Sequence, residues 1–392
     1  MKVEKIKARK ILASNVKFTL EIELQTSKGK VRSSVPLGTS KSKHEVFFHE
    51  VERALFVIKN VRRYFEKNEF EDQKDVDRTL RIIDKTENFK EIGGNVALGI
   101  SSAFLKAFSL ENSMEVYEYI SHLYKLKPKI PKPLSNVIGG GKHGGGTDFQ
   151  EFHLFPLHQQ SFLESISKLS EFYWKIAKKL EKIDPLFSFG RNLESAWVTS
   201  LRLNKILELL SEFSDENWRI GIDVAASNLW NGKFYVYEKE GLRLITQEQI
   251  SFLSTLLNSN PISYVEDPFE ENDFVSFSTL KSLHPRKLIC GDDLYATNLR
   301  RLKHGLEIKS TNSVLVKPNQ IGTITDTIEF IRLAKKNGLK CIISHRSAET
   351  EDVLICHLGV GSGCDFAKVG IAGERTVKLN EFLRIEERLR GS

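Results

Sequence analysis

Three short apolar runs in this 392-residue chain end on acids. RIGIDVAAS (219–227) carries Asp223, SYVEDPFEENDF (263–274) carries Glu266 and Asp267 just before Pro268, and KLICGDDL (287–294) carries Asp292 and Asp293. Proline lacks a backbone donor and stops a ladder, so Glu266 stands at the carboxyl end of its strand, where the chain turns away. Further on, Lys317 follows the apolar run SVLV, Ser344-His345-Arg346-Ser347 follows LKCII, and Lys368 follows Phe366-Ala367. Three carboxylates are hard oxygen ligands, suited to Mg²⁺ with positions left open for a substrate. A lysine at the end of an apolar strand beside such a cation is expected to have its pKa lowered far enough to act as a general base. Lys368 suits a carboxylate or phosphate, and the planar fork of Arg346, flanked by Ser344 and Ser347, suits a phosphate. A metal plus a lysine base is the chemistry of taking a proton next to a carboxylate, with the cation offsetting the doubled charge that results. Each acid alone also reads as a helix cap in a βα loop. Three in succession, followed by two strand-end lysines, favour a cluster.

Elements able to bring these residues together are visible in the hydrophobic pattern. Apolar strands recur at FHLFPL, RIGIDVA, ISYVED, KLICGDD, SVLVKP, LKCIIS and FAKVG, mostly with helical stretches between them, at roughly the 30-residue spacing of a βα unit. The segment Lys125-Leu126-Lys127-Pro128-Lys129-Ile130-Pro131-Lys132-Pro133 reads as a linker, and the chain beyond it is long enough for a (β/α)₈-type TIM barrel of about 250 residues. In such a barrel, active sites gather at the carboxyl ends of the strands. An open doubly wound sheet is the alternative, but none of these strands is followed by the Gly-x-Gly-x-x-Gly turn that often marks one. Before the linker, ARKILASNVKFTLEIELQTSKGKVRSSVP alternates like two antiparallel strands joined at Ser27-Lys28-Gly29-Lys30, and helical patterns follow. The expected organisation is an amino-terminal α+β domain over 1–128 and a barrel domain over 129–392.

Composition narrows the function classes. Hydrophobic content of 40% and charged content of 28% fit a globular chain. No apolar run reaches the roughly 18–20 residues of a membrane span, and the start MKVEKIKARKIL is too charged for a secretory signal. Cys290, Cys341, Cys356 and Cys364 form neither a C-x-x-C pattern nor a framework, so they read as buried reduced thiols of a cytoplasmic protein. The net charge of +7 favours anionic partners, phosphorylated metabolites included. The lysines are scattered and carry no nucleic-acid-binding signature, so nucleic acid is not expected as the main partner.

The motifs IDVAAS, VEDPF, GDDLYATN, LVKPNQIGT, SHRSAETED and NEFLRIEE, in this order, resemble those of the enolase family. The likeness runs from ARKILAS to LRIEERL and so covers nearly the whole chain. It implies an amino-terminal α+β domain followed by the family's ββαα(βα)₆ barrel. It also implies the reversible dehydration of 2-phosphoglycerate to phosphoenolpyruvate, and a homodimer or higher homo-oligomer. Residue by residue, it implies that Asp223, Glu266 and Asp292 hold the first Mg²⁺ and that Lys317 removes the C2 proton. Lys368 is implied to bind the substrate carboxylate, Arg346 and Ser347 the phosphate, and His345 the reacting end. His143, in SNVIGGGKHGGG, falls on the family's mobile-loop histidine, and Gln150 and Glu151 match its Gln-Glu pair. Ser40, in VPLGTSKSKHE, matches the serine whose closing loop contributes to a second Mg²⁺.

Two stretches depart from the family. The lid loop reads Leu37-Gly38-Thr39-Ser40-Lys41-Ser42, bulkier and more basic than the family's Ser-Gly-Ala-Ser-Thr-Gly. The family's Gly-Asp-Glu-Gly-Gly-Phe-Ala-Pro loop, whose glutamate is the general acid, becomes FGRNLESAWVTS (189–200). Aligned without a gap on Gly190, the acid's place is taken by Asn192. Shifted by two, it is taken by Glu194. Three readings follow: an active enolase, a paralogue that binds Mg²⁺ and ligand without efficient dehydration, or an enzyme applying the same proton abstraction to a different acid.

Overall fold

The computed structural model describes residues 1–38, 42–158 and 161–391. The chain opens with an antiparallel meander of β1 (Val3–Leu12), β2 (Phe18–Thr26) and β3 (Gly29–Ser34). The turn foreseen at Ser27-Lys28 joins β2 to β3, but the first expected strand is two. An additional hairpin at 13–17 separates them, closed by a hydrogen bond from Ala13 N to Lys17 O and by Asn15 Oδ1 accepting from Lys17 N. That turn has neither glycine nor proline, and Val16 takes the left-handed φ of 62° that β-branched residues avoid, so the local signal was hidden.

Four helices follow: α1 (Val51–Val61), α2 (Gln73–Ile83), α3 (Gly94–Glu111) and α4 (Val116–Tyr124). The first two-thirds of α3, GNVALGISSAFL, is buried on every face, as expected for a helix without a polar side. It lies between the meander and the second half of the chain, touching β2, β3, α2, α4 and a barrel helix. Gly99 permits the close approach, since a Cβ there would come 2.9 Å from Ile22 Cγ1.

From Lys132 the chain runs through β4 (Lys132–Gly139), β5 (Glu151–Pro156), α5 (Phe162–Ile183), the short β6 (Trp197–Val198) and α6 (Leu203–Ser211). Six βα units come next. The first is β7 (Trp218–Asp223), a small hairpin of β8 (Tyr235–Tyr237) and β9 (Leu242–Leu244), then α7 (Thr246–Ser259). The second and third pair β10 (Ile262–Glu266) with α8 (Phe274–Leu283) and β11 (Leu288–Gly291) with α9 (Leu299–Ile308). The fourth joins β12 (Ser313–Val316) to α10 (Pro318–Ile321) and α11 (Ile324–Lys336). The last two are β13 (Lys340–Ser344) with α12 (Leu354–Gly361) and β14 (Phe366–Lys368) with α13 (Thr376–Gly391).

The strands β4-β5-β7-β10-β11-β12-β13-β14 form a barrel that closes by parallel pairing of β14 with β4, while β6 adds to β4 outside the ring. Only β5, among the described residues, runs against its barrel neighbours. This is the ββαα(βα)₆ order after an amino-terminal mixed domain. β4 was not among the strands read from sequence, because its KPLSN start is polar and prolines precede it. The Gly139–Gly146 run after β4 does spell Gly-x-Gly-x-x-Gly, but it leads through one 3₁₀ turn into β5 and presents no helix start to a phosphate.

An apolar plug fills the barrel below its mouth. Seven strands each contribute one side chain: Leu134, Phe155, Tyr264, Cys290, Leu315, Ile342 and Phe366. β7 contributes Gly221, where a Cβ would come 3.1 Å from Tyr264 and 3.2 Å from His153. With the lower interior dry, the polar strand ends are confined to the top.

The two halves are joined by a buried polar knot. Ser101 Oγ on α3 accepts from Ile324 N at 2.9 Å, and Asp77 Oδ2 on α2 accepts from Thr325 N at 2.8 Å, satisfying two free donors at the start of α11. Gln73 Nε2 donates to both Asp77 oxygens, at 3.1 and 3.2 Å. Burial nevertheless pushes the Asp77 carboxyl up to about 6. A carboxyl raised in the folded state contributes most below its unfolded pKa of about 3.9, and that contribution is lost as pH rises through the folded value. Asp77→Asn does not titrate, so its stability relative to the parent should rise by on the order of 3 kcal/mol between about pH 4 and pH 8. Denaturant melts at the two pH values check this; a constant difference would show that the buried carboxyl titrates as in the unfolded chain.

Candidate functional site

The strand ends read from sequence converge at one cavity in the barrel mouth, except that Glu266 is wholly buried beneath Lys368 and does not form the cavity wall. Its walls include Glu151, Glu194, Asp223, Asp292, Lys317 and Lys368, together with His143, Gln150, His345, Arg346 and Ser347. Strand register explains the core of it. Glu266 pairs with Asp223 across β10 and β7, and Asp223 with Glu151 across β7 and β5. Because β5 is antiparallel, its first residue, not its last, lies at the mouth.

Lys368, on the closing strand, reaches into these three carboxylates. Its Nζ lies 2.8 Å from both oxygens of Glu266, and 3.2 Å from Asp223 Oδ2 and Glu151 Oε2. Burial alone would lower the ammonium's pKa, but Glu151, Glu266 and Asp223 outweigh it and raise it well above the usual range. Glu266, by contrast, is pushed up to about 7 by burial and the charge of Asp223, and also accepts from Tyr264 Oη at 2.6 Å. Glu151 lies 2.8 Å from His153 Nε2, and burial beside Lys368 holds that imidazole down to about 3, so it is neutral.

Asp292 follows β11 and is held by Lys317 Nζ and by Gln320 Nε2, the latter at 3.1 Å. Burial acts to lower the pKa of Lys317, but Asp292 outweighs it and raises the value. The direct ion pair with a buried carboxylate stabilises the ammonium more than desolvation opposes it, whereas the lowering expected from the sequence concerns the lysine beside a bound cation. Asp267, the second acid of VEDPF, takes a left-handed φ of 41° and accepts from Asp292 N at 2.9 Å and Asp293 N at 2.8 Å. It fixes the neighbouring strand end. The only local signal of this role in the sequence is the acidic doublet before Pro268.

Arg346 extends from the loop after β13 to Glu45, at 3.0 Å, and to Asn319 Oδ1, at 3.0 Å. Gly38 lies against its guanidinium, where any Cβ would collide with it. Arg346 N donates to Glu349 Oε1 at 2.8 Å, which shapes the same loop. Burial, then the nearby Arg375, drive His345 well below its usual pKa, so its ring is neutral. Neither nitrogen of this ring has a hydrogen-bond partner among the described residues, and the same holds for His143 Nδ1 and Gln150 Oε1. Buried polar atoms left this way are costly, so the cavity is suited to a polar ligand that satisfies them. Ser40 lies outside the described residues.

In the divergent loop, Asn192 and Glu194 part company. Asn192 Oδ1 accepts from Glu194 N at 2.9 Å and Ala196 N at 3.1 Å, so its side chain folds the loop on itself. Glu194 lines the cavity, with Oε2 accepting from Asn136 Nδ2 at 3.3 Å and lying 3.7 Å from His345 Nε2. Asn136, in β4, escaped the sequence reading together with its strand.

Among the described residues, two groups come close enough to share a cation: Asp267, Asp292 and Asp293, and His143, Glu151 and Glu194. Asp223 and Glu266 are instead paired with Lys368. The cavity wall carries seven carboxylates against three basic side chains, an oxygen-rich lining that suits a hard divalent cation. Burial, and after it the charge of Asp223, raise Glu266, so a cation bound beside it would favour its charged form.

Comparison with known proteins agrees with this architecture. Residues 3–120 match the family model "Enolase, N-terminal domain" and residues 127–392 match "Enolase, C-terminal TIM barrel domain". The enolase of Methanosphaera stadtmanae is 38% identical, over 99% of this chain and 97% of that protein. The enolase of Pyrobaculum aerophilum is 37% identical over 97% and 95% of the two chains, and that of Archaeoglobus fulgidus 36% identical over 99% and 98%. Matched across both domains and almost end to end, the chain belongs to the enolase family.

Proposed function

We propose that the protein interconverts 2-phosphoglycerate and phosphoenolpyruvate, with Mg²⁺ held by Asp223, Glu266 and Asp292. The observation that carries this reading is the placing of Lys317 and Glu194 on different sides of a single cavity. Lys317 follows β12, whereas Glu194 is bonded to Asn136 on β4, three strands round the eight-stranded ring. A base and an acid set apart in this way can serve two different carbons of one small substrate.

In the dehydration direction, neutral Lys317 takes the proton from C2. Electrons from that C–H bond move toward the carboxylate and then form the C2–C3 double bond as the C3–O bond breaks. Glu194 gives its proton to the departing hydroxide, which leaves as water. Bound Mg²⁺ would supply positive charge against the doubled charge that builds on the substrate carboxylate. Lys368 orients that carboxylate, while Arg346 and Ser347 take the phosphate. Glu45 now engages Arg346, so phosphate binding exchanges one anionic partner of the guanidinium for another. An Asp292 carboxylate shared with a cation holds the Lys317 ammonium less strongly, which returns the lysine toward the proton affinity a base needs.

The alternative of a ligand-binding paralogue without dehydration arose from placing Asn192 where the acid belongs. Its side-chain oxygen is engaged within its own loop, and the carboxyl that lines the cavity is that of Glu194.

The direct test is formation of phosphoenolpyruvate from 2-phosphoglycerate with Mg²⁺, which chelation by EDTA should abolish. A protein fully active after chelation would remove the metal from the proposal. Lys317→Ala should slow exchange of the C2 proton with deuterated water by about 10²–10⁴-fold, the usual loss for a general base; undiminished exchange assigns the base elsewhere, with Lys368 the first candidate. Glu194→Gln should stop elimination yet leave C2 exchange largely intact, because Lys317 acts without it. Elimination at the parent rate in that variant would pass the acid's role to another group, with Glu151 the nearest choice.

A further inference from the structure

Arg375, in the 3₁₀ turn Gly373–Arg375 after β14, is wholly buried, yet it touches none of the carboxylates of the cavity floor. Its hydrogen bonds go to the backbone of two loops far apart in sequence. Nη2 donates to Ser347 O at 3.0 Å, to Arg346 O at 3.2 Å and to Leu193 O at 3.3 Å. Leu193 immediately precedes Glu194, and Arg346 and Ser347 are the residues assigned to the phosphate. Nη1 pairs with Glu374 Oε1 at 2.6 Å, and Glu374 Oε2 accepts from Ser195 Oγ at 3.1 Å, on the other side of Glu194. Glu194 is therefore held at both neighbours by one Glu-Arg pair. The backbone of this turn also packs directly on the loop. A Cβ at Gly370 would come 3.5 Å from Glu194 O, and one at Gly373 would collide with Ser195 Oγ.

We infer that Arg375 and Glu374 are positioning residues that lock the Glu194 loop to the Arg346–Ser347 loop, setting the distance between the acid and the phosphate grip. The inference rests on the proposed roles of Glu194, Arg346 and Ser347. A planar guanidinium suits the task, because its donors are fixed in direction and remain charged, whereas a lysine in its place has one freely rotating point of contact. The clamp adds support to a loop in which a non-glycine residue, Ser195, holds a left-handed φ of 61° and the turn is folded by the Asn192 side chain.

Position matters for elimination more than for proton abstraction, since Lys317 follows β12 and, among the described residues, makes no hydrogen bond or ion pair with Arg375 or Glu374. In Arg375→Lys, elimination should fall about 10- to 100-fold, the scale of loss when a catalytic group shifts by about an ångström. C2 proton exchange should stay within about twofold of the parent, and KM for 2-phosphoglycerate should rise. Glu374→Gln, at a partly exposed position, should show the same split in milder form and serves if Arg375→Lys does not fold. Amide hydrogen exchange supplies a readout independent of turnover: both variants should speed exchange at 193–197 and at 346–348 together. Equal loss of exchange and elimination, no loss of either, or loosening confined to one loop overturns the clamp. A parent that exchanges no C2 proton refutes the proposed reaction instead, and amide exchange still decides whether Arg375 joins the loops.

Discussion

The site depends on how one buried ammonium is accommodated. Lys368 is 3% exposed, and a lysine charge so far from water is tolerated only with close anionic partners. Glu151, Asp223 and Glu266 provide them, each from a different strand across the ring. The dependence is mutual, because three carboxylates in such proximity cannot all be charged without a cation among them. One lysine stands against three acids, and Glu266, raised by its burial and then by the charge of Asp223, is the one least disposed to ionise. The arrangement requires β14 to close onto β4 and β5 to run backwards, and it requires a dry plug below to keep the charges at the mouth. Gly221 is part of that requirement, since it makes room for His153 and Tyr264, the two side chains that bind Glu151 and Glu266 from beneath.

The amino-terminal domain is a wall of the cavity as well as a neighbour. Glu45 reaches Arg346, and Gly38 lies flat against the same guanidinium. Further out, Lys106 on α3 pairs with Asp352 at 2.8 Å, while Ser33 Oγ and Ser34 N donate to Asp352 at 2.9 and 2.8 Å. These contacts steady the segment that follows the phosphate-binding loop. Together with the Asp77 knot at the start of α11, they explain why the all-buried helix α3 occupies the seam: both domains supply its apolar surroundings.

The loop at 190–197 shows how a motif can erode while its geometry is supported by other means. Ser195 adopts a left-handed φ of 61° without being glycine, and the turn is held by Asn192. Tyr173 Oη donates to Ser195 O at 2.7 Å, and Trp197 stacks on that tyrosine with ring centroids 4.5 Å apart while its Nε1 donates to Tyr173 O. Aromatic packing and an Asx turn offset the backbone cost that glycine would have avoided.

What the sequence determined by itself was local. Apolar runs ending on Asp223, Glu266, Asp292, Lys317 and Lys368 could be read as strand ends because alternation, length and Pro268 encode them within a few residues, and the motif order pointed to the family. Tertiary structure decided the rest, because direction, register and burial arise from contacts between distant residues. It made β4 a strand despite its polar start, reversed β5 so that Glu151 faces the mouth, and split the first strand at a turn without a glycine. It also brought Asp292 beside Lys317, an ion pair that raises the lysine's pKa and that no local stretch of sequence announces. Two registers of the 190–197 loop were open to the sequence, the shifted one preferred because it keeps an acid, two small residues and an aromatic. Only the packing of Asn192 into its own turn, and of Glu194 against Asn136, decided which side chain lines the cavity.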